Sequence, residues 1–302
     1  MGLNKGFDVN FLGEEHPIPF PRLREDIAQT ALEGGRVFPF THFSIVMNKA
    51  RKFAVYGANN TDVNLDLRLR RCNDWHLDNR IGEENQVGNW LYAGGNEDLW
   101  DRGHLVRRDD VGWGEEAEGR DADCDSFCFA NIAPQHKEFH HTEWGEIEKW
   151  IIEKTKSKNK KLSIFTGPIF TDNDREYCGF RKPLGCGIHI PAGFWKVAFY
   201  IGNDEQLHSA AFKILQDDFW RNGVDFHHAS GPLSLLARMD ILTKYQVPLT
   251  SITEVTGLEF EDHLYETNPL FFEASDFTER MNIITPEIHM IRGPADLILD
   301  RS

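Results

Sequence analysis

Residues 101–148 read DRGHLVRRDDVGWGEEAEGRDADCDSFCFANIAPQHKEFHHTEWGEIE, and the changes of pattern inside this stretch decide the fold. Apolar residues cluster from Leu99 to Val106 and again from Ser126 to Ile132, which predicts two short strands around an acidic loop. After Pro134 the spacing changes. Thr142, Trp144, Ile147, Trp150, Ile151 and Lys154 recur every three or four residues, so a helix from about Glu143 to Lys156 is expected, with Thr142 able to cap it. The stretch thus reads strand, strand, helix, with polar residues concentrated at the joins.

Those polar residues suit one kind of chemistry. Phosphodiester hydrolysis needs a base to deprotonate water, positive charge on the phosphate, and a cation near the leaving oxygen. His104 is a candidate base, because a neutral imidazole near pH 7 accepts a proton without first losing one. Either His140 or His141 is able to hold a divalent metal, and Arg102, Arg71 or Arg70 to bind phosphate as bidentate donors. Structural readings compete at each position. Asp101 can simply orient the strand or an arginine, Gly103 can be a plain turn glycine, and Arg102 can pair with an acid of the loop. Asn131 can bind only backbone, Glu148 can be a solvated carboxylate beside Lys149 or Lys154, and the lysines of 154–161 can be a solvated helix end.

With these residues in view, the chain resembles the DNA/RNA non-specific endonucleases of the ββα-metal (His-Me finger) class, endonuclease G-like. The tetrad Asp101-Arg102-Gly103-His104 is that family's signature. The family follows it with a strand ending S-N-x-x-P-Q, an Asn nine residues after the first, a Trp four further on and a Glu four beyond. Asn131, Pro134, Gln135, Trp144 and Glu148 fall at the matching offsets. Weaker similarity runs through HFSIVMNK, the Arg71–Arg80 stretch, FTGPIF, IPAGFWKV and VPLTSITEVTGL, so the resemblance covers about residues 38–272. It implies an α+β fold: a ββα-metal finger on a central antiparallel sheet flanked by helices, in a single main domain. It also implies sequence-non-specific hydrolysis of DNA and/or RNA to 5′-phosphate ends, with His104 as general base. Arg102, Asn131, Glu148 and Arg71 would be catalytic, and Arg70 and Arg80 substrate-binding.

One position departs from the family. His140 stands where members place the metal-binding Asn, giving the order His104, Asn131, His140 of related H-N-H nucleases. A single divalent ion is expected at His140, Mg²⁺ or Mn²⁺ first, with Ni²⁺ or Zn²⁺ admitted by the softer imidazole. The same departure supports a competing expectation, a catalytically weak nuclease-fold subunit that binds nucleic acid or protein. The intact His104 and its spaced partners oppose it.

Composition sets the outer bounds. The chain has 302 residues, 40% hydrophobic and 27% charged, which excludes a disordered, collagenous or small disulfide-scaffold protein. No repeat or Gly/Ser-rich linker divides it, so one domain over 38–272 is expected between an N-terminal arm (1–37) and an acidic C-terminal extension (273–302). A net charge of −15 would ordinarily argue against a nucleic-acid partner. However, Asp109–Asp125 carries −7 and Glu254–Ser302 carries −8, so the rest of the chain is neutral. The five cysteines lack paired C-x-x-C spacing, and no secretory signal or membrane span is visible. Free thiols and a cytoplasmic location are therefore expected, with a non-classical route if the protein is exported. An active nuclease without an export signal endangers its own cell, which suggests gating by a regulatory protein partner or by homodimerisation. Elsewhere, a short helix is expected near Arg24–Leu32, and a hairpin from Thr41 to Asn60 turning at Asn48-Lys49. Strands are expected over 161–167, 193–202 and 209–215, and a helix after Val247.

Overall fold

In chain order the strands are β1 (Arg22–Leu23), β2 (Val37–Pro39), β3 (Phe43–Asn48), β4 (Phe53–Asp62), β5 (Trp100–His104), β6 (Ile132–His136), β7 (Lys161–Ile169), β8 (Gly193–Ile201), β9 (Leu207–Leu215), β10 (Lys244–Val247), β11 (Leu258–Glu259) and β12 (His289–Ile291). Eight of them form an antiparallel sheet in the order β12-β10-β9-β8-β7-β4-β3-β2. The structure is a computed structural model, and it describes residues 6–92, 100–158, 160–177, 187–216, 244–271, 289–291 and 293–299. No helix among the described residues is long and apolar enough to cross a membrane.

Both faces of this sheet are covered, and the strand sequences show why. Successive side chains in a strand point to opposite faces. Phe43, Ile45 and Met47 of β3 join one core with Phe194 and Ala198 of β8, whereas Val46 joins a second core with Trp195, Val197 and Phe199. Every residue of β3 and β4 is consequently buried, including Asn59, Asn60 and Thr61, whose side chains are not apolar. The second core is closed by Phe7 and Ile18 of the N-terminal segment and by Leu249 and Ile252 of the helix Leu249–Thr256.

The first core is closed by the unit that carries the tetrad. β5 and β6 form a separate antiparallel ribbon pairing Asp101 with Gln135, Gly103 with Ala133 and His104 with Ile132. A helix follows β6 without a loop: α4 (Lys137–Phe139), a π-turn over His140–Trp144, then α5 (Gly145–Lys158). Phe139, Trp144, Ile147 and Ile151 of this helix are buried against the sheet. Where β5 leads onto β4, Gly57 supplies room. A Cβ there would meet Val106 Cγ2 at 2.8 Å and Ile45 Cδ1 at 3.1 Å.

Several expectations shift. The second strand of the finger lies at Ile132–His136 rather than 126–132, because Phe129–Asn131 form a tight 3-10 turn before it. The helix starts at Lys137, so Thr142 sits inside the π-turn and not at an N-cap. The acidic stretch is not a loop but two helices, α2 (Arg108–Val111) and α3 (Glu116–Asp125). Its acids have partners: Asp110 pairs with Arg107, Asp123 with Arg108, Glu118 with His42 and Glu116 with Arg120, and Asp125 accepts from the Thr41 amide. The expectation of free thiols fails for two cysteines, since Cys72 and Cys124 form a disulfide with Cα atoms 5.2 Å apart. These residues are 52 apart in sequence, and only the fold brings them together. Within the acidic C-terminal extension, β12 forms the sheet edge by pairing with β10; most of the remainder lies outside the described residues.

Candidate active site

Pairing in the finger accounts for the composition of the tetrad. Gln135 packs over Gly103 so closely that a Cβ on the glycine would fall 2.2 Å from Gln135 Cδ. Arg102 and His104 therefore flank a position where a side chain does not fit. His104 ends the strand, between the rings of Trp75 (centroids 5.5 Å apart) and Phe127 (5.2 Å). The ring keeps some exposed surface, but Nε2 is buried and has no hydrogen-bond partner among the described residues.

Trp75 is the hub of the basic groups. The Arg102 guanidinium lies 4.8 Å from its centroid, and that of Arg71 6.0 Å away while also 4.9 Å from the Phe127 ring. Arg102 Nη2 also donates to Asn89 Oδ1 at 2.6 Å. Burial first, then the positive charges of Arg71, His140, Arg108 and Arg107, push the His104 pKa down to about 3. The ring is thus held neutral in the folded protein while the unfolded chain protonates it near 6.5. Its contribution to stability is intact above about pH 6.5 and is lost as pH falls from there towards about 3. His104→Gln removes that linkage, so urea midpoints followed between about pH 7 and pH 4 should fall less steeply for the variant than for the parent protein. Equal slopes would show that His104 titrates normally.

A second cluster forms across the ribbon. In the π-turn, two consecutive histidines face the same carboxylate, because an extra residue per turn brings neighbouring side chains closer in angle. His140 Nδ1 lies 3.0 Å and His141 Nε2 2.9 Å from Asp101 Oδ2. Burial opposes ionisation of Asp101, but the hydrogen bond and charge of His140, with His141 and Lys137 behind them, outweigh it and hold its carboxyl below the usual value. One ligand atom from each of the three residues falls within 4.8 Å of the others. Two imidazoles and an ionised carboxylate fit a divalent ion, and transition metals better than Mg²⁺. Among the described residues, His104 Nε2, Arg102 Nε and both amide atoms of Gln135 are buried without a hydrogen-bond partner, so the surroundings hold unused donors as well as acceptors.

The other candidates are held differently. Arg70 is exposed on the irregular segment that carries Arg71. Arg80 lies over the Phe40 ring, forms an ion pair with Asp78 and donates to the Pro39 carbonyl, away from the tetrad's contacts. Glu148 is buried rather than solvated, with Arg107 Nε 3.1 Å from Oε2 and Lys196 Nζ 3.1 Å from Oε1. Lys149 reaches Glu153 rather than Glu148, and the Lys154 side chain lies outside the described residues. Asn131 is fully buried and its amide is fully used. Oδ1 accepts from the Val106 amide (2.9 Å), and Nδ2 donates to the carbonyls of Val106 (2.8 Å) and Ser126 (3.0 Å). This clamps the exit of β5 to the entry of β6, so Asn131→Ala should cost about 3 kcal/mol in urea unfolding. A loss below about 1 kcal/mol would show the clamp to be dispensable.

Sequence reasoning did not single out Trp75, Asn89 or the pairing of Asp101 with both histidines. The motif offsets run along the chain, whereas these contacts cross between segments.

Comparison with known proteins supplies a context. Residues 27–267 match the DNA/RNA non-specific endonuclease family. The uncharacterized protein y4fB of Sinorhizobium fredii is 33% identical over 86% of this chain and 39% of its own length. Human mitochondrial endonuclease G is 24% identical over 63% of this chain and 57% of its own. Nuclease C1 of Cunninghamella echinulata var. echinulata is 25% identical over 55% and 58%. The chain thus spans between 39% and 58% of the length of these relatives. A solved structure, the EndoG/EndoGI complex, shares the fold with a TM-score of 0.55 at 16% identity, over 79% of this chain and 91% of that one.

Proposed function

Because the chain belongs to the DNA/RNA non-specific endonuclease family, we propose that it is a metal-dependent endonuclease hydrolysing DNA and/or RNA phosphodiesters to 5′-phosphate ends, with His104 as general base. The observation that carries this reading is the unpartnered, buried Nε2 of a neutral His104 beside two arginines stacked on one tryptophan.

Arg71 and Arg102 hold the phosphate from their places on Trp75, Arg102 through the part of its guanidinium that Asn89 does not engage. Phe127 and Trp75 fix the His104 ring and limit the water that reaches it. Nε2 takes the proton of an attacking water, whose oxygen displaces the 3′ oxygen in line at phosphorus. A base held at about pKa 3, chiefly by burial, is weak; an anion beside Arg71 offsets the smaller part of that depression that Arg71's charge causes. When bound by His140, with Asp101 and His141, a divalent ion supplies Lewis-acid stabilisation of charge on the phosphate and the leaving oxygen. Glu148, Arg107 and Lys196 support the floor of the helix behind it as a buried ion network.

Contacts to phosphate and sugar predict weak sequence preference and strong salt dependence. A plasmid-nicking assay with EDTA, Mg²⁺ and Mn²⁺ lanes tests the reading. Cleavage in a metal lane and none in EDTA supports it, and retained nucleic-acid binding with no cleavage in any lane favours the binding-subunit alternative. The same proposal includes gating by a regulatory protein or by self-association, which light scattering of the purified chain addresses.

A further inference from the structure

We propose that the Cys72–Cys124 crosslink, together with Asp123, is a thiol-sensitive latch that positions Arg71 beside His104. The inference rests on the nuclease reading above for its consequence but not for its geometry.

The arginine-bearing arm, residues 67–75, has no regular secondary structure. Its two ends are tied to the body. Leu67 donates to the Gly112 carbonyl at 2.9 Å, and Arg108 Nη2 donates to the Leu69 carbonyl at 3.0 Å. At the other end Trp75 packs on Phe127 and His104. Between Leu69 and Trp75 the backbone is tied to the body at Cys72. Its amide donates to Asp123 Oδ2 at 2.9 Å, and its sulfur is bonded to Cys124 of α3. Asp123 is buried and is itself held by Arg108 Nε at 2.7 Å, so one arginine braces both the arm and the carboxylate that receives it. Arg71 adjoins Cys72, is exposed, and has its guanidinium over Phe127 and Trp75, the two rings that also contact His104. Asp123 of α3 therefore braces a cationic arm.

The chemistry is selective among the described cysteines. Cys72 and Cys124 are only half-buried, whereas Cys128 is buried, and burial pushes its thiol up to about 12, so it is a poor nucleophile for exchange with the disulfide. A cellular dithiol, or two small-molecule thiols, supplies two electrons and two protons. The Cys72–Cys124 bond breaks, each sulfur ends as a thiol, and the reductant becomes its own disulfide. Released from α3, Cys72 keeps only its amide hydrogen bond, and Arg71 loses its fixed position.

The test uses the full chain in oxidised, phosphine-reduced and reoxidised forms, with thiols counted by alkylation and mass measurement. Cleavage kinetics and the affinity for a labelled oligonucleotide in EDTA are read in each form. Reduction should raise KM and weaken oligonucleotide binding by about tenfold, change kcat less, and be reversed by reoxidation. In Arg71→Ala KM should already be raised and oligonucleotide affinity already lowered, and reduction should add nothing. Asp123→Asn, which keeps the crosslink, should give a smaller KM increase that also vanishes in the Arg71→Ala background. Unchanged KM and affinity on reduction, an equal effect of reduction in Arg71→Ala, or loss of near-UV circular dichroism on reduction would each overturn the latch; the last makes the bond a fold staple. Affinity that falls on reduction without cleavage in either form keeps the latch and sinks the nuclease reading, while cleavage indifferent to reduction does the reverse.

Discussion

Replacing His104 by alanine lowers kcat by about 10²- to 10⁴-fold, the usual worth of a positioned general base, with little change in KM. The split follows from the separation of roles. On the proposed reading phosphate binding falls to Arg71 and Arg102, whose stacking on Trp75 does not depend on the imidazole. The fold should survive, because among the described residues Nε2 of His104 makes no hydrogen bond whose loss would strand a partner. What the variant does lose is the ring between Trp75 and Phe127, so a modest destabilisation is expected, and His104→Gln, which refills part of the space, should be equally inactive but more stable. Circular dichroism and urea unfolding alongside initial rates separate the two effects. If either variant cleaves at near the parental rate, His104 is not the base and the reading of the tetrad fails.

The ββα unit was readable because its information is local. Asp101 to His104 form one strand, Ile132 to His136 the other, and the helix begins at the next residue, so fixed offsets along the chain correspond to fixed positions in space. Boundaries were less readable where side chains compete with the pattern. Asn131 ties the segment before β6 into a tight turn through Ser126 and Val106, and the strand starts six residues later than its apolar run. The acidic stretch read as a loop because acids dominate it. Its helices form because Arg107 and Arg108 neutralise Asp110 and Asp123 from the residues just before, a pairing that a charge count does not reveal. The −15 thus loses much of its force against a nucleic-acid partner, since part of it is spent holding arginines in place. Long-range pairings were the least readable. Cys72 with Cys124, and Arg80 with the Pro39 carbonyl, join segments whose proximity only the sheet and finger create.

Changing His140 to asparagine restores the ligand type that the family resemblance leads one to expect and should move metal preference towards Mg²⁺. An amide oxygen is a hard donor, whereas imidazole favours Mn²⁺ and later transition metals. The expected result is a fall in the ratio of Mn²⁺- to Mg²⁺-supported cleavage. It should come with weaker Mn²⁺ binding in nucleic-acid-free protein, by about 10- to 100-fold, read by titration calorimetry or by the Mn²⁺ resonance signal. His140→Ala should bind Mn²⁺ more weakly still. Asp101→Asn and His141→Ala distinguish ligands from neighbours. Asp101 is hydrogen-bonded to His140 and lies 2.9 Å from His141 Nε2, so the three bind metal as a group only if these contacts are exchanged for bonds to the ion. Loss of Mn²⁺ affinity in His140→Ala, Asp101→Asn and His141→Ala, with His104→Ala binding normally, assigns the metal to this cluster and leaves the base separate from it. An unchanged metal ratio in His140→Asn would mean that the histidine pair serves only to hold Asp101 against the helix, and the metal would have to be sought among other donors around the tetrad.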